Sequence, residues 1–530
     1  MTSTLRFAVR FAAVLAFALP AASLRAQDLG ADAELIETRT EVPKLKSAEP
    51  YAPKDGVVEI ELSEYAGYAG LVVANGGLEP NDQSFFAKNY GFKLKITLSE
   101  EESWSALNAG RIAASATTVD VLAAYGRQFK VTVPAQIGFS RGADGVVVRK
   151  EIRRVNDLKG KVLATAQFTE ADFFIRYLAQ EAGLGVHMLA DLKSPPVADK
   201  LNLVYCADAF GAGDLFLRDL KAGRNRLAGC VTWAPKTSEV AEESGGKATI
   251  LVTNRNLLIV ADVLVVNKGF AEQSPNLVAG LVHGLYEGNR LVRDDSAPHL
   301  NVIAAAFKWS PEQTKAELAK VHLSNVPEAR GFFQGSLTAA GSFGSIYSAS
   351  VFAYGEELIG KPQPAERFLD PKPLDLIAEK EPFKSQKPVI VPIGKDLADV
   401  EGTPLLSKDI RFLYIPNSAE LDLKNEQNVK NLDVIKELLR SSPGSVINLV
   451  GHVDGSRRDE FAKEGAKRLR EMTAAADDLS RKRAEGVRAA LEKLGVDMKR
   501  VQAEGRGWKE PASKVADENR RVEVQWFTVE

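Results

Sequence analysis

The sequence predicts an α/β protein closed by a small α+β unit, and three observations lead there. Short apolar strand-like runs alternate with helical stretches over most of the chain, which argues for largely parallel sheets. A proline-rich, charged stretch then interrupts the pattern at 378–402, and a single strand–helix–strand–helix–strand series follows it. At 530 residues the chain is also too long for one core, because single domains usually hold roughly 100–200 residues.

The N-terminus comes first. Arg6 and Arg10 precede an apolar run from Phe11 to Leu19, and the small residues Ala21, Ala22 and Ser23 follow, the pattern of a secretory signal over residues 1–26. The run is shorter than the ~20 residues of a spanning helix. Cleavage is expected near Ser23 or Ala26, and no cysteine stands there to accept lipid. Residues 27–55 are polar and carry Pro43, Pro50 and Pro53, which suits an extended segment.

Strands are then expected at Val57–Leu62, Lys93–Leu98, Arg111–Ala114, Gly145–Arg149, Val162–Ala166, Leu201–Tyr205, Val231–Trp233, Thr249–Val252 and Val263–Val266. After Val162–Ala166, Thr169 and Asp172 have capping-box-like spacing, Phe173, Phe174, Tyr177 and Leu178 mark a buried face, and Gly183 is the stop. A strand running into a helix N-terminus leaves backbone N–H groups facing a cleft, which suits anionic or carbonyl-bearing ligands. Beyond 403, a strand is expected at Phe412–Ser418, and a helix carries Val429, Leu432, Ile435, Leu438 and Leu439 at helical spacing. A strand at Val446–Val450, a helix with Ala484, Val487, Leu491 and Leu494 on one face, and a strand at Arg521–Thr528 complete the series.

Composition narrows the function. Hydrophobic residues make up 45% and charged residues 26%, and a net charge of −2 gives no field that gathers nucleic acid, so nucleic acid is not an expected partner. Cys206 and Cys230 are too few for a metal cage, and spacing alone leaves both a disulfide and two buried thiols open. His187, His283, His299, His322 and His452 lack metal-helix spacing, and no G-x-S-x-G, Walker or H-E-x-x-H pattern occurs. No catalytic residue, metal or cofactor is expected; binding is favoured over catalysis.

Three motifs stand in register near the C-terminus: Gly451-His452-Val453-Asp454, Leu479-Ser480-Arg481-Lys482-Arg483-Ala484 and Asn519-Arg520-Arg521-Val522-Glu523. They resemble the OmpA-like peptidoglycan-binding family. The resemblance implies a domain over 403–530 that binds the diaminopimelate stem of peptidoglycan, whose side chain offers an ammonium and a carboxylate. Asp454 would accept from the ammonium and Arg483 would fork onto the carboxylate, supported by Asn519 and by Arg520 or Arg521. Taken singly, Asp454 fits a turn cap and Arg483 a solvated helix arginine. The chain departs from the family in Val453, where Thr is usual, and in a charged insertion, Asp459–Asp478, which either stands clear of the pocket or partly covers it.

The run Asn156-Asp157-Leu158-Lys159-Gly160-Lys161 is similar to a segment of type-II periplasmic solute-binding proteins, in the branch that takes nitrate, sulfonates, taurine and thiamine precursors. Tyr65–Gly77, Ser140–Gly145 and Thr232–Pro235 agree with it. This resemblance implies a bilobal fold over 56–377 and a cleft for a small, anionic solute. Cleft candidates are Tyr65, Tyr68, Ser115, Thr117, Thr118, Ser140, Arg141, Gln167, Thr169 and Trp233, with Arg141 the charge partner. Together the resemblances imply a periplasmic, envelope-associated protein that captures or senses a solute while fixed to peptidoglycan. Transport would require a membrane permease and sensing a different membrane protein. The alternative is a structural or interaction protein of the envelope whose bilobal region no longer takes a ligand.

Overall fold

Runs of aliphatic and β-branched residues bounded by Gly, Pro, Asn and Asp build three separate sheets in the computed structural model, which describes residues 35–99, 103–337, 340–391, 403–415 and 418–528. The signal stretch, its cleavage positions and residues 392–402 of the expected linker lie outside those residues.

In chain order the strands are β1 (Val57–Leu62), β2 (Lys93–Leu98), β3 (Ala114–Thr118), β4 (Val131–Ser140), β5 (Gly145–Arg149), β6 (Val162–Ala166), β7 (Gly185–Met188), β8 (Lys200–Cys206), β9 (Gly229–Thr232), β10 (Ala248–Thr253), β11 (Ala261–Asn267), β12 (Val321–Leu323), β13 (Leu406–Ile410), β14 (Val446–His452), β15 (Val501–Gly507) and β16 (Val522–Phe527). The first sheet runs β12-β4-β11-β3-β1-β2 and the second β10-β5-β9-β6-β8-β7. Each is the centre of one lobe.

The chain passes between lobes twice, from β4 to β5 and back from β10 to β11. The returning β11 inserts between β3 and β4 and runs antiparallel to both, while β5 is antiparallel to β9 and β10. The other pairs of β1, β2 and β3, and of β6, β7, β8 and β9, are parallel. Each sheet is therefore mixed rather than largely parallel, because a strand that re-enters a lobe must run against those that preceded its exit. Asn254 ties the two crossings together: its side chain accepts from Gly142 N (2.8 Å) and donates to the Asp144 carboxylate (2.9 Å), and its backbone N donates to Asp144 O (3.0 Å).

Helix α1 (Glu170–Glu181) follows β6 and buries Phe173, Phe174, Tyr177 and Leu178. The capping work falls to Asp172, which accepts from Phe168 N, whereas the Thr169 hydroxyl donates to Ala166 O. Asp172 also pairs with buried Arg176 at 2.7 Å.

Residues 35–55 lie extended across both lobes. Ile36 N bonds Tyr205 O and the Thr38 hydroxyl bonds Leu189 O in the second lobe; Leu45 N bonds Gln128 and Glu49 N bonds Asn108 O in the first.

The third sheet runs β13-β16-β14-β15, with α2 (Glu426–Ser441) and α3 (Ala466–Lys493) packed on it. Its first strand lies upstream of the expected Phe412–Ser418, where, among the described residues, Tyr414 makes an isolated bridge to Leu421. Leu406 and Ile410 turn inward, while Leu413 and Ile415 are exposed. Leu432, Ile435, Leu438 and Leu439 are buried; Val429 and Leu494 are not. The inserted residues form a short helix, Arg458–Lys463, and the first turns of α3.

This unit sits directly on the second lobe. Val155 N bonds Leu405 O (2.8 Å), and the Asn156 side chain brackets Ser407, accepting from its N and donating to its O, both at 2.8 Å. The Tyr177 hydroxyl meets Ser441 Oγ at 3.1 Å, and Lys408 Nζ donates to Gln180 O at 3.2 Å.

Candidate functional site

Two sites emerge, one between the lobes and one on the C-terminal sheet. The first is a cavity at the crossings, walled by β1, β3, the end of β4 and β11 from one lobe and by Asp144, Glu170 and Trp233 from the other. Tyr65, Tyr68, Ser115, Thr117, Thr118, Ser140 and Trp233 line it.

Arg141, Gln167 and Thr169 do not line the cavity. The Arg141 guanidinium donates to Val391 O. Gln167 clamps the N-terminal strap, accepting from Arg39 N (3.0 Å) and donating to Arg39 O (2.7 Å). Thr169 is taken by Ala166 O and, through its own carbonyl, by the Tyr354 hydroxyl.

The cavity also holds Glu61, Asp144, Glu170 and Asp262, along with Trp104. Asp262 is 2% exposed and accepts from the Tyr68 hydroxyl (3.3 Å) and the Tyr65 hydroxyl (3.5 Å), whose rings meet edge to face at 5.1 Å. Burial, with repulsion from Asp144, drives the Asp262 carboxyl well above its ordinary range. Burial likewise lifts Asp144 to about 6, and Asp120 behind the wall to about 7. Thr117, 3% exposed, lines this space, and its buried hydroxyl has no hydrogen-bond partner among the described residues. Buried polar groups are nearly always satisfied, so such an atom at a cavity wall marks where a ligand or water bonds.

At the second site, a basic cavity of about 220 Å³ is lined by Arg411, Tyr414, His452, Arg483, Arg520 and Arg521, among others. The Arg483 guanidinium lies over the Tyr414 ring, 4.9 Å from its centroid, and its buried Nε has no partner among the described residues. Asp454 accepts from Ser456 N (2.9 Å) and Oγ (2.7 Å) and from Arg520 Nη2 (3.4 Å). Partial burial works against its charge, but these bonds outweigh it and hold the carboxyl below its ordinary value. Arg521 pairs with Asp409 at 2.8 Å. Asn519 is a loop pin, accepting from Ala512 N and Ser513 N and donating to Ser513 O and Val515 O.

Glycine positions this site. A Cβ on Gly451 would stand 2.0 Å from Ser480 O, so only glycine lets the start of the Leu479–Ala484 motif seat on β14. His452 is buried beside Glu523 at 3.5 Å, and that contact, more than burial opposes it, holds Glu523 at about 2. The insertion packs away from the pocket: Phe461 stacks on Trp508, Lys509 pairs with Asp477, and no described lining residue comes from 459–478.

Residues 413–525 match the sequence model described as the OmpA family. About 60% of the chain is similar to the alkanesulfonate-binding protein SsuA from Xanthomonas axonopodis pv. citri, at 16% identity and a TM-score of 0.45 over 99% of that chain. The aliphatic sulphonate binding protein SsuA from Escherichia coli is similar over 60% of this chain and 97% of its own, at 16% and 0.45. The nitrate-binding protein NrtA from Synechocystis PCC 6803 is similar over 62% of this chain and 89% of its own, at 12% and 0.43. No curated protein matches the sequence. The chain thus joins a bilobal α/β fold to a C-terminal domain that matches the OmpA-family model.

Proposed function

We propose that this protein is exported to the periplasm, takes a small solute between its lobes, and is held to peptidoglycan by its C-terminal domain. The domain boundaries are read as 56–377 and 403–530, with the strap before the first and a linker between. The reading rests most heavily on the inter-lobe cavity, where Thr117 presents an unpartnered buried hydroxyl beside Asp262, Tyr65 and Tyr68. Groups kept dry and unsatisfied at the junction of two lobes have a use when a solute bridges them.

At the wall-binding end, Arg483 offers a guanidinium preoriented by Tyr414, and Asp454 offers a carboxylate kept ionised by Ser456 and Arg520. A diaminopimelate side chain would satisfy both, its carboxylate on Arg483 and its ammonium on Asp454. Arg520 and Arg521 flank the cavity, and Asn519 shapes the loop that carries them. The activity proposed for both sites is binding: capture or sensing of a solute between the lobes and attachment to peptidoglycan at the C-terminal domain.

Native mass spectrometry of the exported protein tests the capture reading. A copurified small molecule that leaves on mild activation is expected. A clean apo mass, together with no thermal stabilisation by any solute class, would leave the lobes as a scaffold.

A further inference from the structure

We infer that the solute taken by the inter-lobe cavity is a compact organic cation bearing an ammonium group, and not the sulfonate or nitrate anion that the resemblance suggested. This rests on the capture reading above and gives it a charge.

Asp262 and Asp144, 2% and 3% exposed, belong to opposite sides of the junction, and of the residues described around the cavity none is Lys, Arg or His. The nearby cations are otherwise engaged: Lys236 pairs with Asp214 and Glu239, and Arg176 with Asp172. Arg141, the one guanidinium expected to meet an anion, is turned to Val391 O. Among the described residues, an anion would meet four carboxyl groups and no cation at the cavity wall.

A cation reverses each of these terms. It would supply the missing counter-charge to Asp262 and Asp144, whose mutual repulsion it would screen, and an ammonium N–H could donate to Thr117 Oγ1. Tyr65, Tyr68, Trp104 and Trp233 present aromatic rings around the same space, the surroundings that organic cations favour. The cavity volume of 40 Å³ equals room for roughly three waters, which sets the solute at a few heavy atoms.

Carboxyls pushed upward by burial could instead stay protonated and donate to an anion, and pH separates the two cases. The groups facing the solute are Asp262, Asp144, Glu61 and Glu170, with Tyr65 and Tyr68; Asp120 stands behind β3, and Lys308 and Lys236 act on neighbouring Glu64. Cation binding must tighten as these carboxyls ionise with rising pH and must release protons. Anion binding through protonated carboxyls must weaken.

The test is calorimetric titration of the full chain at pH 5.5 and 7.5 with ethanolamine and methylamine, against isethionate and nitrate, with glycerol as the neutral probe. Expected are binding of at least one cation, tighter at pH 7.5, and a loss of about tenfold or more in Asp262→Asn. That variant keeps an acceptor for both tyrosines, and its melting temperature without ligand should match or exceed the wild type, which certifies its fold. Binding of isethionate or nitrate alone would overturn the charge assignment and leave capture standing. Binding of no probe would overturn both. Cation binding unchanged in a folded Asp262→Asn would overturn the site.

Discussion

Asp144 should make this protein less stable as pH rises through the weakly acidic range, and Asp144→Asn should remove that dependence. The carboxyl is buried and titrates at about 6 in the fold, against an ordinary 3.8 in the unfolded chain. Below pH 3.8 it is neutral in both states and costs nothing. Above pH 6 it is charged in both, and the folded state bears the burial. The unfolded chain binds fewer protons between those limits, so stability falls with rising pH. At ~1.36 kcal/mol per pH unit of displacement, the loss is roughly 3 kcal/mol in all, of which about 2 falls between pH 4.5 and 7.5. Relief of Asp262, which Asp144 repels, adds in the same direction. Guanidinium unfolding of both proteins should be followed by tryptophan fluorescence, since Trp104 and Trp233 line the cavity. The stability difference between variant and wild type should grow by about 2 kcal/mol from pH 4.5 to 7.5, and lost hydrogen bonds to Asn254 cancel from that difference. A constant difference across the range would refute the reasoning.

Further outcomes follow from other contacts. Asn156→Ala removes the amide that brackets Ser407, at ~0.5–1.5 kcal/mol per bond, and should speed hydrogen exchange of the Ser407 amide; unchanged exchange would mean the C-terminal domain is not held to the lobe by this contact. Gly451→Ala forces a Cβ to 2.0 Å from Ser480 O and should cost about 1–3 kcal/mol in the C-terminal domain, seen as an earlier unfolding step by circular dichroism. Cys206 and Cys230 are free and buried, with burial pushing Cys206 up to about 12, so iodoacetamide at pH 8 should label neither until the protein is unfolded.

The fold was legible where periodicity and punctuation agree. Val162–Ala166 followed by α1 carries both signals, and so does α2 with its buried Leu432, Ile435 and Leu438. β4 escaped because Pro134 argues against a strand, and the structure admits it at a register shift opposite β11 between Leu264 and Val266. At the C-terminal cavity, His452, Arg483, Arg520 and Arg521 come from the three compact motifs, whereas Arg411 and Tyr414 come from a stretch that no motif marks. The cavity was only half legible: Tyr65 and Trp233 follow strand ends and Thr117 is the penultimate residue of β3, but Asp144 and Asp262 are single carboxylates 118 positions apart that meet only after the chain has crossed between lobes twice. Nothing local marks them, although an aspartate inside the aliphatic run Ala261–Asn267 is a signal that burial would make costly.

Retention of a solute binder at the cell wall is measured by cosedimentation of the full chain with purified diaminopimelate-type sacculi. Wild-type protein should pellet with the sacculi, and free diaminopimelate should release it. Asp454→Ala and Arg483→Ala should each remain in the supernatant while keeping the wild-type circular dichroism spectrum. Pelleting undiminished in both variants would mean that Asp454 and Arg483 do not hold this protein to peptidoglycan.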